Sequence, residues 1–85
     1  MAKSLRDTRY RAIIDKLVAH RKAAGLTQRE LADRIGRVQS FVAKAELCER
    51  RLDVIELVDV LQGLEVDPAK FLAEFLPSRK RTAAR

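Results

Sequence analysis

The sequence predicts an all-α fold of five helices, and three observations support this prediction. Of the 85 residues, 47% are hydrophobic and 5% are aromatic, with three Gly and two Pro. This composition is typical of a helical globular domain rather than of a disordered chain. Apolar residues recur at helical spacing in five segments of the chain. Most of these segments are also bounded by residue types that commonly begin or end helices.

The first predicted helix follows Ser4 and Asp7, whose spacing resembles a capping box. Gly25 ends its apolar pattern, because glycine readily adopts the conformation in which many helices stop. The apolar positions between these limits are Tyr10, Ile13, Ile14, Leu17 and Val18.

Two short helices are predicted next. Thr27 and Glu30 form a second capping pair, which begins a helix that ends at Gly36. Its apolar positions are Leu31, Ala32 and Ile35. After a short connection, a third helix is predicted from about Gln39 to Leu47. Its apolar positions are Phe41, Val42 and Ala45, and its opposite face consists of Gln39, Ser40, Ala43 and Lys44.

The fourth and fifth helices also begin at recognisable caps. Asp53 pairs with Glu56 at the start of the fourth helix, and Asp67 precedes Pro68 at the start of the fifth. Their apolar positions are Val54, Leu57, Val58, Leu61 and Leu64, then Phe71, Leu72, Phe75 and Leu76. Pro77 is expected to end the fifth helix. We therefore expect one domain over residues 1–76 and a basic, flexible tail over residues 77–85.

The net charge of +6 is unevenly distributed along the chain. Residues 1–25 carry seven basic and two acidic residues, whereas residues 51–76 carry two basic and six acidic ones. The tail from Pro77 to Arg85 adds four bases. The basic residues 1–25 and the acidic residues 51–76 suit a protein that binds a polyanionic partner on one face. A role in solubility explains the charge equally well.

Composition also argues against several classes of function. No stretch approaches the roughly 20 apolar residues of a membrane span, and the N-terminus lacks a signal-peptide core, so we expect a cytoplasmic protein without membrane contact. Cys48 and His20 are the only cysteine and histidine. A disulfide within the chain or a Cys/His zinc cluster is therefore excluded. We expect no metal, no cofactor and no enzymatic activity, because nucleophilic and acid–base groups are not clustered.

The spacing of three residues indicates a helix-turn-helix centred on residues 28–47. Ala32 supplies a small side chain where two steeply crossing helices approach most closely. Gly36 permits a positive φ in the turn. Val42 is expected to point inwards and to anchor the third helix.

The segments GLTQRELADRIG (25–36), VQSFVAKAE (38–46) and ERRLD (49–53) resemble the lambda-repressor and Cro-like helix-turn-helix family, also called the XRE family. The resemblance runs without a gap from about Leu17 to Leu72. It implies a five-helix lambda-repressor-like domain in which helices two and three form the helix-turn-helix and the third helix reads bases of double-stranded DNA in the major groove.

The resemblance implies a role for individual residues. Bases would be read by Gln39, Ser40 and Lys44. Contacts with the DNA backbone or groove would come from Thr27, Gln28, Val38, Phe41, Arg50 and Arg51. Arg21 and Glu46 would form a structural ion pair between the first and third helices. The alternatives are a solvated helix face for the base-reading set and a soluble loop for the two arginines.

Four positions depart from the family pattern. Cys48 and Glu65 stand where glycine is usual, and Gly63 stands where alanine is usual. Ala45 is smaller than the usual Ile or Leu. These departures concern two turns and the packing of the third helix.

A dimer interface is predicted at the end of the chain's last helix. It comprises Phe71, Leu72, Phe75 and Leu76. Phe75 and Leu76 extend the apolar stripe beyond what closing the core requires, and a larger monomer core is the alternative. In a dimer, two recognition helices about 34 Å apart would meet successive major grooves of a palindromic operator.

These observations predict a homodimeric, sequence-specific transcriptional regulator that binds inverted-repeat operator DNA. The layout resembles that of phage Cro proteins and of small regulators carried on mobile elements. A regulatory protein partner is a further expectation that the sequence leaves open. The alternative function is an antitoxin-like or partner-binding module whose helix-turn-helix autoregulates its operon.

Overall fold

The computed structural model describes residues 7–76 and contains five α-helices and no strand within that range. The helices are α1 Thr8–Ala23, α2 Gln28–Ile35, α3 Gln39–Glu46, α4 Val54–Gly63 and α5 Pro68–Ala73. The predicted all-α class is therefore confirmed. Ser4, Pro77 and the bases of the tail lie outside the described residues.

Two capping boxes begin α2 and α4, as the sequence predicts. Thr27 Oγ1 accepts a hydrogen bond from the backbone N–H of Glu30 at 3.0 Å, and the Glu30 carboxylate accepts one from the N–H of Thr27 at 2.8 Å. Asp53 and Glu56 make the same reciprocal pair at 2.7 and 3.0 Å. Each box satisfies N–H groups that the first turn of a helix leaves free.

Two helix ends differ from the prediction. Asp7 is itself the N-cap of α1 and accepts a hydrogen bond from the N–H of Arg9 at 2.8 Å, so it is not the third residue of a helix that begins at Ser4. At the other end, α5 stops at Ala73 rather than at Pro77. The N–H of Phe75 bonds to the carbonyl of Leu72 at 2.9 Å, and this tighter hydrogen-bond pattern ends the helix.

The hydrophobic core is formed by side chains from all five helices and from the segment between α3 and α4. Ile14 on α1, Leu61 on α4 and Phe71 on α5 are its largest fully buried side chains. Ala32 on α2 and Val42 on α3 are also buried, as the helix-turn-helix spacing predicts. Full burial of a Val or Leu side chain contributes about 1.5–3 kcal/mol, so the core fixes how α3 is presented to solvent.

The core contains a small cavity beside Ala45. Its volume is about 20 Å³, and Phe41 and Val42 also line it. Ala45 is buried and stands where larger residues are usual in the resembling family. The neighbouring side chains therefore fill nearly all of the space that its short side chain leaves.

Four turn residues adopt the left-handed backbone conformation. Gly36 has a φ of +71°, as predicted for the turn between α2 and α3, and Gly25 has a φ of +75°. Cys48 and Glu65, with φ of 59° and 61°, adopt the same conformation without being glycine. An L-residue with a side chain pays about 1–2 kcal/mol for this conformation. The two departures from glycine thus leave the turns intact but strained.

We expect Glu65→Gly to raise the free energy of unfolding by about 0.5–1 kcal/mol, because glycine adopts the left-handed conformation without strain. Part of the gain is lost because glycine also increases the conformational entropy of the unfolded chain. Chemical denaturation measures the change. Glu65→Ala is the matched control: it removes the carboxylate that lies 4.0 Å from Arg34 but keeps the Cβ. An equal gain in both variants would contradict the strain argument.

Candidate nucleic-acid interface

Helix α3 presents two different faces. Phe41, Val42 and Ala45 are buried against the rest of the domain. Gln39, Ser40 and Lys44 are exposed on the opposite side, where the sequence predicts the base-reading set. Val38, the N-cap, is 69% exposed and provides no side-chain hydrogen bond to the helix. The start of α3 is therefore an open surface with polar side chains beside an apolar one.

A buried ion pair joins α3 to α1. Arg21 Nε donates to Glu46 Oε2 at 2.6 Å and Arg21 Nη2 donates to Glu46 Oε1 at 2.9 Å, while the two side chains are 10% and 14% exposed. Arg21 Nη1 also donates to the carbonyl of Leu26 at 2.8 Å. These three hydrogen bonds fix the orientation of the guanidinium, which connects α1, the turn before α2 and the end of α3.

Two glutamine side chains continue from this ion pair towards solvent. Gln28 Nε2 donates to Glu46 Oε1 at 2.8 Å, and Gln39 Nε2 donates to Gln28 Oε1 at 2.8 Å. We call the series Arg21, Glu46, Gln28 and Gln39 the polar relay. It joins both residues of the predicted ion pair to one predicted backbone contact, Gln28, and one predicted base reader, Gln39. Thr27, next to Gln28, uses its hydroxyl as the cap of α2.

A second charged group lies at the other end of the turn, around Phe41. The guanidinium carbons of Arg37 and Arg50 lie 4.4 and 4.8 Å from the centroid of the Phe41 ring. Arg50 donates to both oxygens of Glu56 at 2.9 and 2.8 Å, and Arg37 donates to Glu56 Oε2 at 3.4 Å. We call these four residues, Arg37, Phe41, Arg50 and Glu56, the arginine cluster.

The arginine cluster changes what two predicted contact residues can offer. Phe41 is 8% exposed and the two guanidinium groups lie against its ring, so little of the side chain is accessible. Arg50 is half-buried and pairs with a carboxylate, so its charge is partly neutralised. Arg37 was missed by sequence reasoning. The only feature of the sequence that could have indicated its role is its position directly after Gly36, the glycine of the turn.

Hydrogen bonds from Arg50 and from the backbone N–H of Asp53 lower the pKa of Glu56 from its ordinary 4.5 to about 2. The same contact raises the pKa of Arg50. Glu56 therefore stays ionised at neutral pH and both caps α4 and fixes the two arginines. The sequence identified only the capping role, because the partners lie in a turn and a loop whose positions the sequence does not specify.

A concavity between the turn and α3 has a volume of about 410 Å³. Its cationic lining residues are Arg37, Lys44 and Arg50, and Gly36, Val38, Ser40 and Phe41 complete it. Among residues 7–76, Lys44 takes part in none of the ion pairs of the structure. This surface suits a polyanion with apolar groups near its backbone, because cations bind phosphate while Val38 remains free for an apolar contact.

Arg51 lies on the far side of the loop from Arg50. Its guanidinium carbon is 5.8 Å from the centroid of the Tyr10 ring, and it is exposed. The Tyr10 hydroxyl accepts a hydrogen bond from the N–H of Leu52 at 3.0 Å and so fixes the loop to α1. Tyr10 was considered only as an apolar position in the sequence.

The four residues of the predicted dimer interface occupy different environments. Phe71 is 2% exposed and belongs to the core, with its ring 5.4 Å from that of Phe75. Leu72 and Phe75 are half-buried, and Leu76 is 65% exposed. The last three line a groove of about 290 Å³, and the other lining residues are Tyr10 and Ile13 of α1 and the charged Asp7, Arg9 and Arg51. The accessible apolar surface is thus a groove between α1 and the turn after α5.

A helix-turn-helix family model matches residues 17–71, which include all of α2, α3 and α4. The chain belongs to the XRE-type helix-turn-helix family. A solved structure of an XRE-family like protein from Pseudomonas syringae pv. tomato str. DC3000 shares 50% sequence identity with it. The match covers 87% of this chain and 90% of that chain, with a TM-score of 0.80. No curated protein gave a match.

XRE-type helix-turn-helix domains have a DNA-binding regulator fold, and they are in general not enzymes. The family model and the structural match together confirm the lambda-repressor-like fold that the sequence predicts. Within residues 7–76, no helix of this XRE-type domain combines the length and the apolar character that crossing a membrane requires.

We expect the stability of this XRE-type domain to depend on pH through Glu56. A carboxylate whose pKa is lowered by folding stabilises the protein above its unfolded pKa, and this contribution is lost as the pH falls through the folded value. The window here lies between about pH 4.5 and pH 2. Thermal unfolding of the wild type and of Glu56→Gln should differ most at pH 7 and converge towards pH 2.

Glu65→Gln is the matched control, because this side chain is 84% exposed. It should unfold near the wild-type temperature across the whole range. A difference between wild type and Glu56→Gln that stays constant from pH 7 to pH 2 would contradict the assignment of the pKa shift to this carboxylate.

Proposed function

We propose that this XRE-type protein is a sequence-specific transcriptional regulator that acts as a homodimer on inverted-repeat operator DNA. The observation that carries the proposal is the exposed face of α3, where Gln39, Ser40 and Lys44 stand beside a cationic concavity. An α-helix with such a face fits the major groove of B-DNA, which is about 12 Å wide.

The exposed side chains of α3 provide a base-reading chemistry. Gln39 offers both a donor and an acceptor, which suits adenine, and Lys44 offers donors to the O6 and N7 acceptors of guanine. Ser40 can donate or accept and is therefore permissive. Val38 is available for an apolar contact with a thymine methyl group. Together these contacts specify only a few base pairs.

Residues around α3 would hold the DNA backbone. Gln28 lies half-buried at the start of α2, with one amide N–H left free by its two hydrogen bonds. Arg51 in the loop after α3 is exposed, but it also lines the groove at Phe75, so it can contact the backbone only where the two surfaces meet. Thr27 is adjacent to Gln28, but its hydroxyl is already engaged in the cap. Arg37 and Arg50 together carry one more positive charge than the single carboxylate of Glu56 neutralises. Phosphate contacts of this kind set position and affinity, and base contacts set specificity.

A dimer is proposed because one recognition helix selects too weakly. A good bidentate base contact discriminates by about 1–3 kcal/mol, whereas specific binding exceeds non-specific binding by about 4–10 kcal/mol. The groove lined by Leu72, Phe75 and Leu76 is accessible and largely apolar, although Asp7, Arg9 and Arg51 also line it, and a second copy of the chain would bury it. A two-fold arrangement doubles the base contacts and demands an inverted repeat.

The apolar surface at the start of α4 bears on the alternative of a separate protein partner. Val54 is exposed and lines a concavity with Tyr10 and Ile13, the same residues that line the groove at Phe75. The two apolar regions are therefore continuous. This continuity favours one extended self-association surface over an antitoxin-like module with a second partner face.

We expect the double variant Gln39→Ala and Lys44→Ala to lose sequence selectivity and to remain folded, because both side chains are exposed on α3. Each lost base contact should weaken operator binding by about 1–3 kcal/mol. Fluorescence anisotropy, with an operator selected in vitro by the wild type and an unrelated duplex of equal length, measures the ratio of affinities.

The matched control is Gln62→Ala with Lys70→Ala, since these exposed residues have the same types but lie on α4 and α5. It should retain the wild-type ratio. Selectivity that survives the loss of Gln39 and Lys44 would contradict base reading by α3.

We expect Phe75→Glu and Leu76→Glu each to shift the protein towards monomers, because a buried unpaired carboxylate opposes burial of the groove. Sedimentation equilibrium measures the assembly state, and anisotropy measures operator affinity, which should fall by at least about tenfold when the two half-sites are no longer bound together. Because Leu76 is exposed in the monomer, Leu76→Glu should leave the fold intact and so tests the interface alone.

Ala69→Glu is the control for added negative charge, because Ala69 is exposed on α5 and is not among the residues lining the groove. It should remain a dimer. If both groove variants stay dimeric at the concentration at which the wild type does, this groove is not the interface.

A further inference from the structure

Arg37 and Arg50 contact the same carboxylate, but the structure holds them with different strength. Arg50 donates to both oxygens of Glu56, at 2.9 and 2.8 Å, and to the carbonyl of Arg51 at 3.2 Å. Arg37 donates to Glu56 Oε2 alone, at 3.4 Å. Bidentate pairs of arginine and carboxylate are the stronger kind. Glu56 is therefore the structural partner of Arg50, and only a weak contact ties it to Arg37.

The ring of Phe41 determines where the guanidinium of Arg37 lies. The ring belongs to the buried face of α3, so its position follows that of the helix. The guanidinium carbon of Arg37 lies 4.4 Å from the ring centroid, within the range of a cation–π interaction. Among residues 7–76, the Arg37 side chain donates to no acceptor other than Glu56, and it is 39% exposed. Most of its N–H donors are thus available to an external acceptor.

The concavity between the turn and α3 is where such an acceptor would bind. Its lining includes Arg37, Lys44 and Arg50 but not Glu56, so an anion there would meet the cations and not the carboxylate. Glu56 is the only acidic ion-pair partner of these three cations in the described part of the chain, which leaves two positive charges in excess. A phosphate group fits this arrangement, because the planar donors of a guanidinium match its oxygens.

We propose that Arg37 binds a phosphate of the DNA backbone in this concavity, and that Phe41 is a positioning residue that holds the Arg37 guanidinium there in advance. This inference rests on the proposed function. Arg50, to which the family resemblance gives a backbone contact, instead stays bound to Glu56 and keeps that carboxylate in place. The phosphate competes only for the weak contact of Arg37. Binding also avoids part of the entropy cost of ordering a long side chain, because the ring already orders it.

Two other roles of Arg37 would give different results. As a source of general positive charge, it would attract phosphates along the whole site, and its loss would weaken all backbone contacts alike. As a purely structural residue, it would affect thermal unfolding and leave the pattern of phosphate contacts unchanged. A positioned ligand concerns one phosphate in each half-site. The loss of affinity on neutralising single phosphates therefore separates the three roles.

The test uses the full-length protein and an operator that the wild type selects from random DNA. A series of duplexes carries a neutral methylphosphonate at each backbone position in turn, in both half-sites, and fluorescence anisotropy measures Kd. The wild type should lose affinity by about tenfold or more at each contacted phosphate. In Arg37→Ala this loss should fall to about twofold or less at one position and remain at the others.

The dependence on salt provides a second measurement. The slope of log Kd against log salt concentration is about 0.9 for each phosphate that a protein contacts on duplex DNA. A dimer that loses one contact in each half-site should therefore show a slope lower by about 1.8 in Arg37→Ala. The slope counts the contacts, and the methylphosphonate series locates them.

Phe41→Leu tests the positioning role. It keeps an apolar side chain in the core but removes the ring against which Arg37 lies. At the phosphate identified with Arg37→Ala, the effect of the methylphosphonate should fall at least threefold, and at the other phosphates it should stay as in the wild type. Adding Phe41→Leu to Arg37→Ala should change the effect no further, because Phe41 acts through Arg37.

Arg34→Ala is the matched control for the loss of an arginine. Arg34 is 46% exposed and also lies beside a carboxylate, that of Glu65 at 4.0 Å. It lines a different concavity, with Asp59 and Gln62. This variant should keep the wild-type loss of affinity at every methylphosphonate position.

The outcomes are distinguishable. If Arg37→Ala keeps the wild-type pattern at every position, or loses affinity for all phosphates alike, the inference is overturned. This variant decides the matter if Phe41→Leu does not fold. A folded Phe41→Leu with the wild-type effect at the Arg37 phosphate would overturn the positioning role. A wild type that selects no sequence would refute the proposed function instead.

Discussion

On the inner side of α3, the carboxylate of Glu46 accepts hydrogen bonds from Arg21 on α1 and from Gln28 on α2. One charged group therefore connects three helices. Removing one partner of a buried ion pair costs about 3–5 kcal/mol, yet replacing both partners by apolar residues is often neutral. We therefore attribute the pair's value to geometry rather than to net stability: it fixes the height and rotation of α3 and the side chains at its start.

Glu56 plays a comparable part at the other end of the turn. It lies in the acidic part of the sequence, yet it contacts Arg37 and Arg50 beside α3. Glu46 thus holds one arginine in place and Glu56 holds two, and each carboxylate neutralises part of the positive charge. Orientation of the remaining donors matters more for a base-reading surface than the total charge does, because phosphate attraction alone carries no sequence information.

The parts of this fold that sequence reasoning predicted depend on short-range chemistry. Capping pairs such as Thr27 with Glu30 lie three residues apart and are visible in any helical sequence of this kind. The features that sequence reasoning missed depend on contacts between residues that are distant in the sequence. The guanidinium groups of Arg37 and Arg50 lie against the Phe41 ring, and α5 ends at Ala73, where its last turn tightens, rather than at Pro77.

The sequence by itself determined the five helices, the small residue at Ala32, the turn at Gly36 and the outward face of α3, because each follows from local spacing and backbone preference. The pairing of Arg21 with Glu46 came from a family resemblance, and the structure shows its geometry. Only the tertiary structure decided that this pair continues through two glutamines. The two glutamine contacts join residues 11 and 18 positions apart, and the direction of their hydrogen bonds is defined only once the helices are packed.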